Sequence, residues 1–240
     1  MSDIAQFLRE QIDRARTLRL AHEASPERAA QRLWLRRWQA ARLARTYRDL
    51  LQDANYRPAA EFFLSDLYGL KDTAARDAGL ERVFPLMSKT LPDAALHGIG
   101  LAVELDALSE ELDARLLEFL VNELGVREQL SEDAYAEAYR RCDNRAQREH
   151  QIGLIREVGE DLVQLVRKSM VYAMLRAMRG PAKAAGCGEL QDFLERGFRA
   201  FRKMKDPQHF LDTVQTREMR ILDRIYGATP QPFDLDRTRG

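Results

Sequence analysis

Residues 92–124 read PDAALHGIGLAVELDALSEELDARLLEFLVNEL, and the period of their apolar residues decides the fold. Leu101, Leu105, Leu108, Leu112, Leu116 and Leu120 recur every three or four positions, the spacing of one helical face. Leu96, Ile99, Val103, Leu117 and Val121 trace a second stripe on a different side, counted at about 100° per residue. A helix that is oily on two sides must lie between neighbours, which makes this stretch a central element. At about 1.5 Å per residue it would be roughly 50 Å long. Pro92 suits a helix start and Gly125 a helix end. Gly98 and Gly100 either bend the rod or admit a close neighbour.

Outward from this rod the periodicity stays helical, and no run alternates as a strand would. A first helix is predicted over Asp3 to Ala24. Ser25-Pro26-Glu27 then supplies a hydroxyl cap, a proline at the first helical position and an early carboxylate for a second helix reaching about Ala54. Arg57-Pro58 opens a short third helix ended by Gly69, and Asp72 or Thr73 starts a fourth. After the rod, Ser131 begins a sixth, and a seventh occupies 146–179 and stops at Gly180-Pro181. Gly188 precedes an eighth, and Asp206-Pro207 caps a ninth ending near Tyr226. The expectation is an all-α, multi-helix bundle of about eight or nine helices with long central helices. It forms a single domain over 1–226, and residues 227–240, GATPQPFDLDRTRG, form a flexible C-terminal tail.

Composition narrows the function. With 38 basic and 38 acidic residues, the chain has no overall field to draw in nucleic acid or an anionic membrane. The charge is nevertheless segregated. Residues 1–50 hold 11 Arg and 6 acids, a net of +5, while residues 101–140 hold 3 Arg and 11 acids, a net of −8. These regions are expected to attract one another within the fold or across a homo-oligomer. Cys142 and Cys187 have neither CxxC nor metal-ligand spacing, so two thiols in a reducing compartment are expected. The start, MSDIAQFLREQ, is charged where a signal peptide would be apolar, and the uncharged run Ala94–Val103 is half the length of a bilayer span. A cytoplasmic protein with no membrane span is expected.

Residues 61–69, EFFLSDLYG, are the other concentrated apolar segment. In a helix from Pro58, Phe62, Phe63, Leu64, Leu67 and Tyr68 point in nearly every direction, which predicts a buried plug. A buried Tyr68 hydroxyl would need a partner, and Arg57 or Arg82 could supply it. FFLSDLYG (62–69), VELDALSEELD (103–113) and GELQDFLERGFRAFRKM (188–204) together resemble a family of uncharacterised bacterial all-helical proteins marked by an FFLxDLYG-type motif. The likeness runs over about 55–225. It implies a domain of unknown function and brings no activity, cofactor or catalytic residue with it.

Motifs for chemistry are missing. A di-iron bundle needs Glu-x-x-His on two helices. Three residues before His22, His97, His150 and His209 stand Arg19, Ala94, Gln147 and Asp206, and Asp206 is better read as a cap. The sequence has no phosphate-binding loop and no GxSxG, and nothing singles out a cysteine as nucleophile. No metal, cofactor or catalytic residue is assigned.

Two constellations remain. In LWLRRWQAARLARTYRDL (33–50), Leu33, Ala40, Ala44, Tyr47 and Leu51 define the ordinary core face. Trp34, Trp38 and Arg45 run along a second line bordered by Arg37 and Arg48, the aromatic and cationic mixture of interface hot spots and of base-stacking platforms. The alternative is that the tryptophans are core and the arginines pair with the acidic region. Asp106 and Glu110 interrupt the rod's second apolar stripe and Glu104 borders the first, so a polar pocket that also takes in Tyr68 competes with ordinary pairing to arginine. Met170, Met174 and Met178, ringed by Arg167, Lys168, Arg176, Arg179 and Lys183, are expected as a core seam with a solvated rim. The heptad-like Leu190, Leu194, Gly197, Phe201 and Met204 are expected as a seam too, and would suit dimerisation.

The functional expectation is a non-enzymatic protein working through a protein partner or self-association at Trp34, Arg37, Trp38 and Arg45. Alternatives are nucleic-acid binding by the same arginines, or an enzyme or small-ligand binder with a polar cavity near Glu104, Asp106 and Glu110.

Overall fold

Twelve α-helices make up most of the computed structural model, which describes residues 2–23, 25–67, 74–90 and 93–235. They are α1 (Asp3–Glu23), α2 (Pro26–Thr46), α3 (Arg48–Gln52), α4 (Arg57–Phe62), α5 (Ala74–Thr90), α6 (Asp93–Glu118), α7 (Glu132–Arg141), α8 (Arg145–Val166), α9 (Ser169–Ala177), α10 (Arg179–Ala184), α11 (Gly188–Arg202) and α12 (Pro207–Tyr226). Single π-helical turns, Phe63–Leu67 and Phe119–Glu123, extend α4 and α6. No strand occurs among the described residues.

Twelve helices exceed the eight or nine expected because two of the longer predicted ones are broken. The second helix is interrupted at Tyr47. The predicted seventh becomes α8, α9 and α10, with an extended Lys168 (φ −86°, ψ 100°) between the first two. Neither break carries a glycine or proline, so the local sequence does not announce it. Gly180 and Pro181 lie in the first turn of α10, where a proline needs no helical N–H partner.

Several starts follow local chemistry. Ser25 Oγ accepts from Arg28 N–H, Ser131 Oγ from Ala134 N–H and Asp206 Oδ1 from His209 N–H. Gly125 ends the rod at φ +65°, a left-handed position, just before Val126 N–H returns to the Leu120 carbonyl at 2.8 Å.

α6 is the axis of the bundle. All six leucines of its first stripe, Leu101 to Leu120, are buried. Near the start of α6, Leu96 joins Leu8 and Ile12 of α1 and Leu80 and Phe84 of α5. Leu105, Leu108 and Leu112 meet Phe62, Leu154, Phe201 and Phe210 from α4, α8, α11 and α12. Leu116 and Leu120 pack with Leu35 of α2 and Tyr135 of α7. Each such leucine contributes about 1.5–3 kcal/mol relative to exposure. The second stripe is buried only at Leu96; Ile99, Val103, Leu117 and Val121 are half-buried, so one flank of the rod is partly wet. At Gly100 the close neighbour is α1: a Cβ there would fall 2.6 Å from the Phe7 ring.

α8 runs antiparallel to α6, as Leu112 with Arg148, Glu104 with His150 and His97 with Asp161 show. α12 runs antiparallel to α8 through Arg145–Asp223 and Arg156–Asp212. The EFFLSDLYG plug is part core: Phe62 is buried, Phe63 and Leu64 are half-buried, and Tyr68 and Gly69 lie outside the described residues. Arg57 and Arg82 donate instead to backbone carbonyls, of Leu51 and Gln52 and of Ala185 and Gly186. The heptad-like seam of α11 faces the protein's own interior at Leu190, Gly197, Phe201 and Met204, leaving Leu194 exposed. Of the predicted tail, residues 227–235 return to the body, where Phe233 meets Trp38 edge-on at 5.8 Å.

Candidate functional site

The Arg/Trp line of α2 does not form one open surface. Leu33, expected on the core face, is exposed, and the buried positions are Leu35, Arg42, Leu43 and Tyr47. This rotation turns the tryptophans inward. Trp38 stacks on Tyr135 with ring centroids 4.3 Å apart, and Trp34 Nε1–H donates to the Glu128 carbonyl at 3.1 Å. Arg37 is exposed, and Arg45 pairs at the surface with Glu132 at 2.9 Å. Other arginines of this basic half meet the acidic 101–140 region: Arg14 holds Glu111 with two hydrogen bonds, and Arg32 and Arg36 converge on Glu110.

The predicted polar pocket is likewise redistributed. Glu110 is clamped by those two arginines, and burial raises its carboxyl above the ordinary value against their pull. Glu104 is engaged by His150 Nε2 at 3.0 Å. Neither lines the interior cavity of about 310 Å³, whereas Asp106 does. Tyr68 lies outside the described residues.

The cavity's polar end is formed by side chains that sequence reasoning passed over. Asp113 accepts from Gln39 Nε2 at 2.9 Å. Glu218 accepts from Arg42 Nη1 at 2.8 Å and from the Tyr47 hydroxyl at 2.7 Å. Arg148, wholly inside, lies over the Tyr139 ring at 4.4 Å, and burial raises the pKa of the Tyr135 and Tyr139 phenols. A signal for Arg148 existed: it stands in phase with Ile152, Ile155, Gly159 and Val163 on the inner face of α8.

The clearest unpartnered feature is on α9. The methionine row expected as a core seam faces outward: Met170 is 80 % exposed, Met174 52 % and Met178 42 %. Ala173 and Ala177 share that outer side, while Val171, Tyr172 and Leu175 turn toward the body. From 162 to 188 the chain carries Arg167, Lys168, Arg176, Arg179 and Lys183 and no acid, a net of +5 in a neutral protein. The helix therefore shows water its oil, framed by cations.

A latch fixes this arm to the body. Tyr172 stacks on Phe198 of α11 at 5.2 Å. Gln191 Nε2 donates to the Leu175 carbonyl at 2.6 Å and to Glu195 at 2.9 Å. The Arg179 guanidinium forks onto both oxygens of Glu195, a carboxylate only 2 % exposed. The hydrogen bonds from Arg179, joined by that from Gln191, hold the Glu195 carboxyl down at about 2.

A family model described as "Domain of unknown function (DUF8198)" matches residues 18–232, from α1 to the segment that packs back after α12. The chain belongs to the DUF8198 family. No curated protein and no solved structure matches it. The DUF8198 match takes in the α9–α10 arm, its latch and the whole polar end of the cavity. Among the described residues of this DUF8198 protein no helix is long and apolar enough to cross a membrane, and no three His, Cys, Asp or Glu side chains are placed to hold a metal. Burial pushes the Cys142 thiol up to about 11, which keeps it protonated and a poor nucleophile.

Proposed function

We propose that this protein is a non-enzymatic binding module that docks an acidic, amphipathic helix of a partner protein on its α9–α10 face. The observation that carries this reading is the row Met170, Met174 and Met178, exposed on the outer side of a helix already anchored by its inner side. Methionine adapts its shape and is favoured on surfaces that receive apolar helices. Besides Arg179, which Glu195 already neutralises, the cations Arg167, Lys168, Arg176 and Lys183 around it select an acidic occupant by charge complementarity. They disfavour a second copy, since two such faces would set like charges against each other. Free, buried Cys142 and Cys187 support placing the protein in the cytoplasm. The proposed surface moves from α2 to α9 because Trp34 and Trp38 already serve packing.

The test uses a synthetic helical peptide with leucines four residues apart flanked by glutamates, and its lysine-flanked counterpart, read by fluorescence anisotropy. The acidic peptide is expected to bind. The triple variant Met170→Ser, Met174→Ser, Met178→Ser should weaken binding about tenfold or more while leaving the circular dichroism spectrum unchanged. Failure to bind, equal binding of the lysine peptide, or an unaffected triple variant would overturn the reading. So would tighter binding to anionic vesicles or to single-stranded DNA, or self-association that the triple variant abolishes.

A further inference from the structure

We propose that the interior cavity is a binding site for a monoanionic amphiphile, a medium-chain carboxylate whose head sits on Arg148 and whose chain runs along α6 and α8. Arg148 is 3 % exposed and faces the cavity. A guanidinium carries five N–H donors. Here Nη1 donates to Gln151 Oε1 and Nη2 to the Leu112 carbonyl, both at 3.2 Å, while Nε–H finds no acceptor among the described residues. No carboxylate of those residues lies within 4.0 Å of it. Its counterpart Arg42, also buried, has Glu218 at 2.8 Å. A buried cation with no carboxylate in contact is costly, and the Tyr139 ring face and the more distant Asp113 offset only part of that cost. Nε–H and a neighbouring Nη–H together present the side-on fork that a carboxylate fits.

The rest of the cavity describes the remainder of the ligand. Its volume, about 310 Å³, stands at the small end of the range that ligand sites occupy. Ile99, Val103, Leu162, Leu165 and Phe193 give it apolar walls away from Arg148. Gly98 and Asp113, both in its lining, are fifteen residues apart on α6, or about 22 Å, so the cavity is elongated. Phe63 and Leu64, half-buried lining residues, stand in the π-helical turn after α4, and such turns recur at functional sites. A single guanidinium with no carboxylate in contact, and Asp113 at the same end, favours one negative charge over two. This cavity takes no lining residue from α9 or α10 and is separate from the docking face there.

The experiment titrates the full-length protein with sodium decanoate below its micellar range, by calorimetry and thermal melting. Saturable one-to-one binding that raises the melting temperature is expected, with decanol and decyl phosphate (near dianionic at pH 8) at least about tenfold weaker. Arg148→Gln should retain the fold, since it removes a buried charge that no carboxylate contacts, and lose decanoate affinity about tenfold or more. Ala102→Phe, which fills the cavity from α6 and leaves Arg148 in place, should show the same loss with unchanged circular dichroism. Absence of binding to the wild type, equal binding by both variants, or decanol or decyl phosphate matching decanoate would each overturn the site.

Discussion

α6 and α9 both carry large apolar residues at helical spacing, and they dispose of them in opposite ways. The leucines of α6 are enclosed by α1, α4, α8, α11 and α12. On α9 the inner residues Val171, Tyr172 and Leu175 dock, while the methionines remain in water. The difference lies in what is available to cover each face. α6 passes between helices on several sides, whereas α9 is a nine-residue helix on the rim, oily nearly all round, with the body on one side only. Its stability comes from the latch to α11 rather than from its own pattern.

That contrast is open to measurement. Leu112→Ala, in the enclosed stripe, should lower unfolding free energy by about 2–5 kcal/mol in chemical denaturation; a loss below about 1 kcal/mol would mean that α6 is not the axis. Glu195→Gln removes the charge that Arg179 forks onto and should cost about 1–3 kcal/mol. Its effect on hydrogen exchange should concentrate in α9 and α10. Uniform loss of protection across the chain would show that the arm is not a separate unit.

Acid should separate the two regions further. Glu195 is held at about 2, below its ordinary 4.5, so its contribution is complete above that ordinary value and drains away as pH falls from about 4.5 toward 2. Glu110 has the opposite sign: burial raises its carboxyl, so its ionisation opposes folding and acid relieves it. Amides of α9 and α10 should therefore lose protection in that window before those of α6. Glu195→Gln should abolish the local pH dependence; the same acid profile in that variant would sink the assignment. The smallest effect is reserved for Met170→Ala, expected within about 0.5 kcal/mol of wild type by thermal melting. A large loss would return the methionine to the core.

Much of this was legible beforehand. The leucine stripe of α6 is as buried as its period demanded, and the caps at Ser25, Ser131 and Asp206 form where their side chains placed them. The attraction expected between the basic 1–50 and acidic 101–140 regions also matches the ion pairs found for Arg32, Arg36 and Arg45. The second stripe was over-read, because half-buried Ile99 and Val103 have the same spacing as enclosed residues. Arg148 was passed over because arginine is rarely fully buried, although its phase on α8 was inward. The break at 167–168 left no mark, since the apolar period continues across it.

By itself the sequence determined that the chain is helical, where several of its helices begin, and that its longest helix lies within 93–124 with one leucine face buried. These properties depend on backbone propensity, capping and spacing within a turn or two, all local in the chain. Only the tertiary structure decided that the methionines face outward, that Trp38 rests on Tyr135, and that Arg148 lies inside without a carboxylate. Those outcomes depend on competition among distant apolar faces for a limited number of covered places, and no local pattern records which face loses.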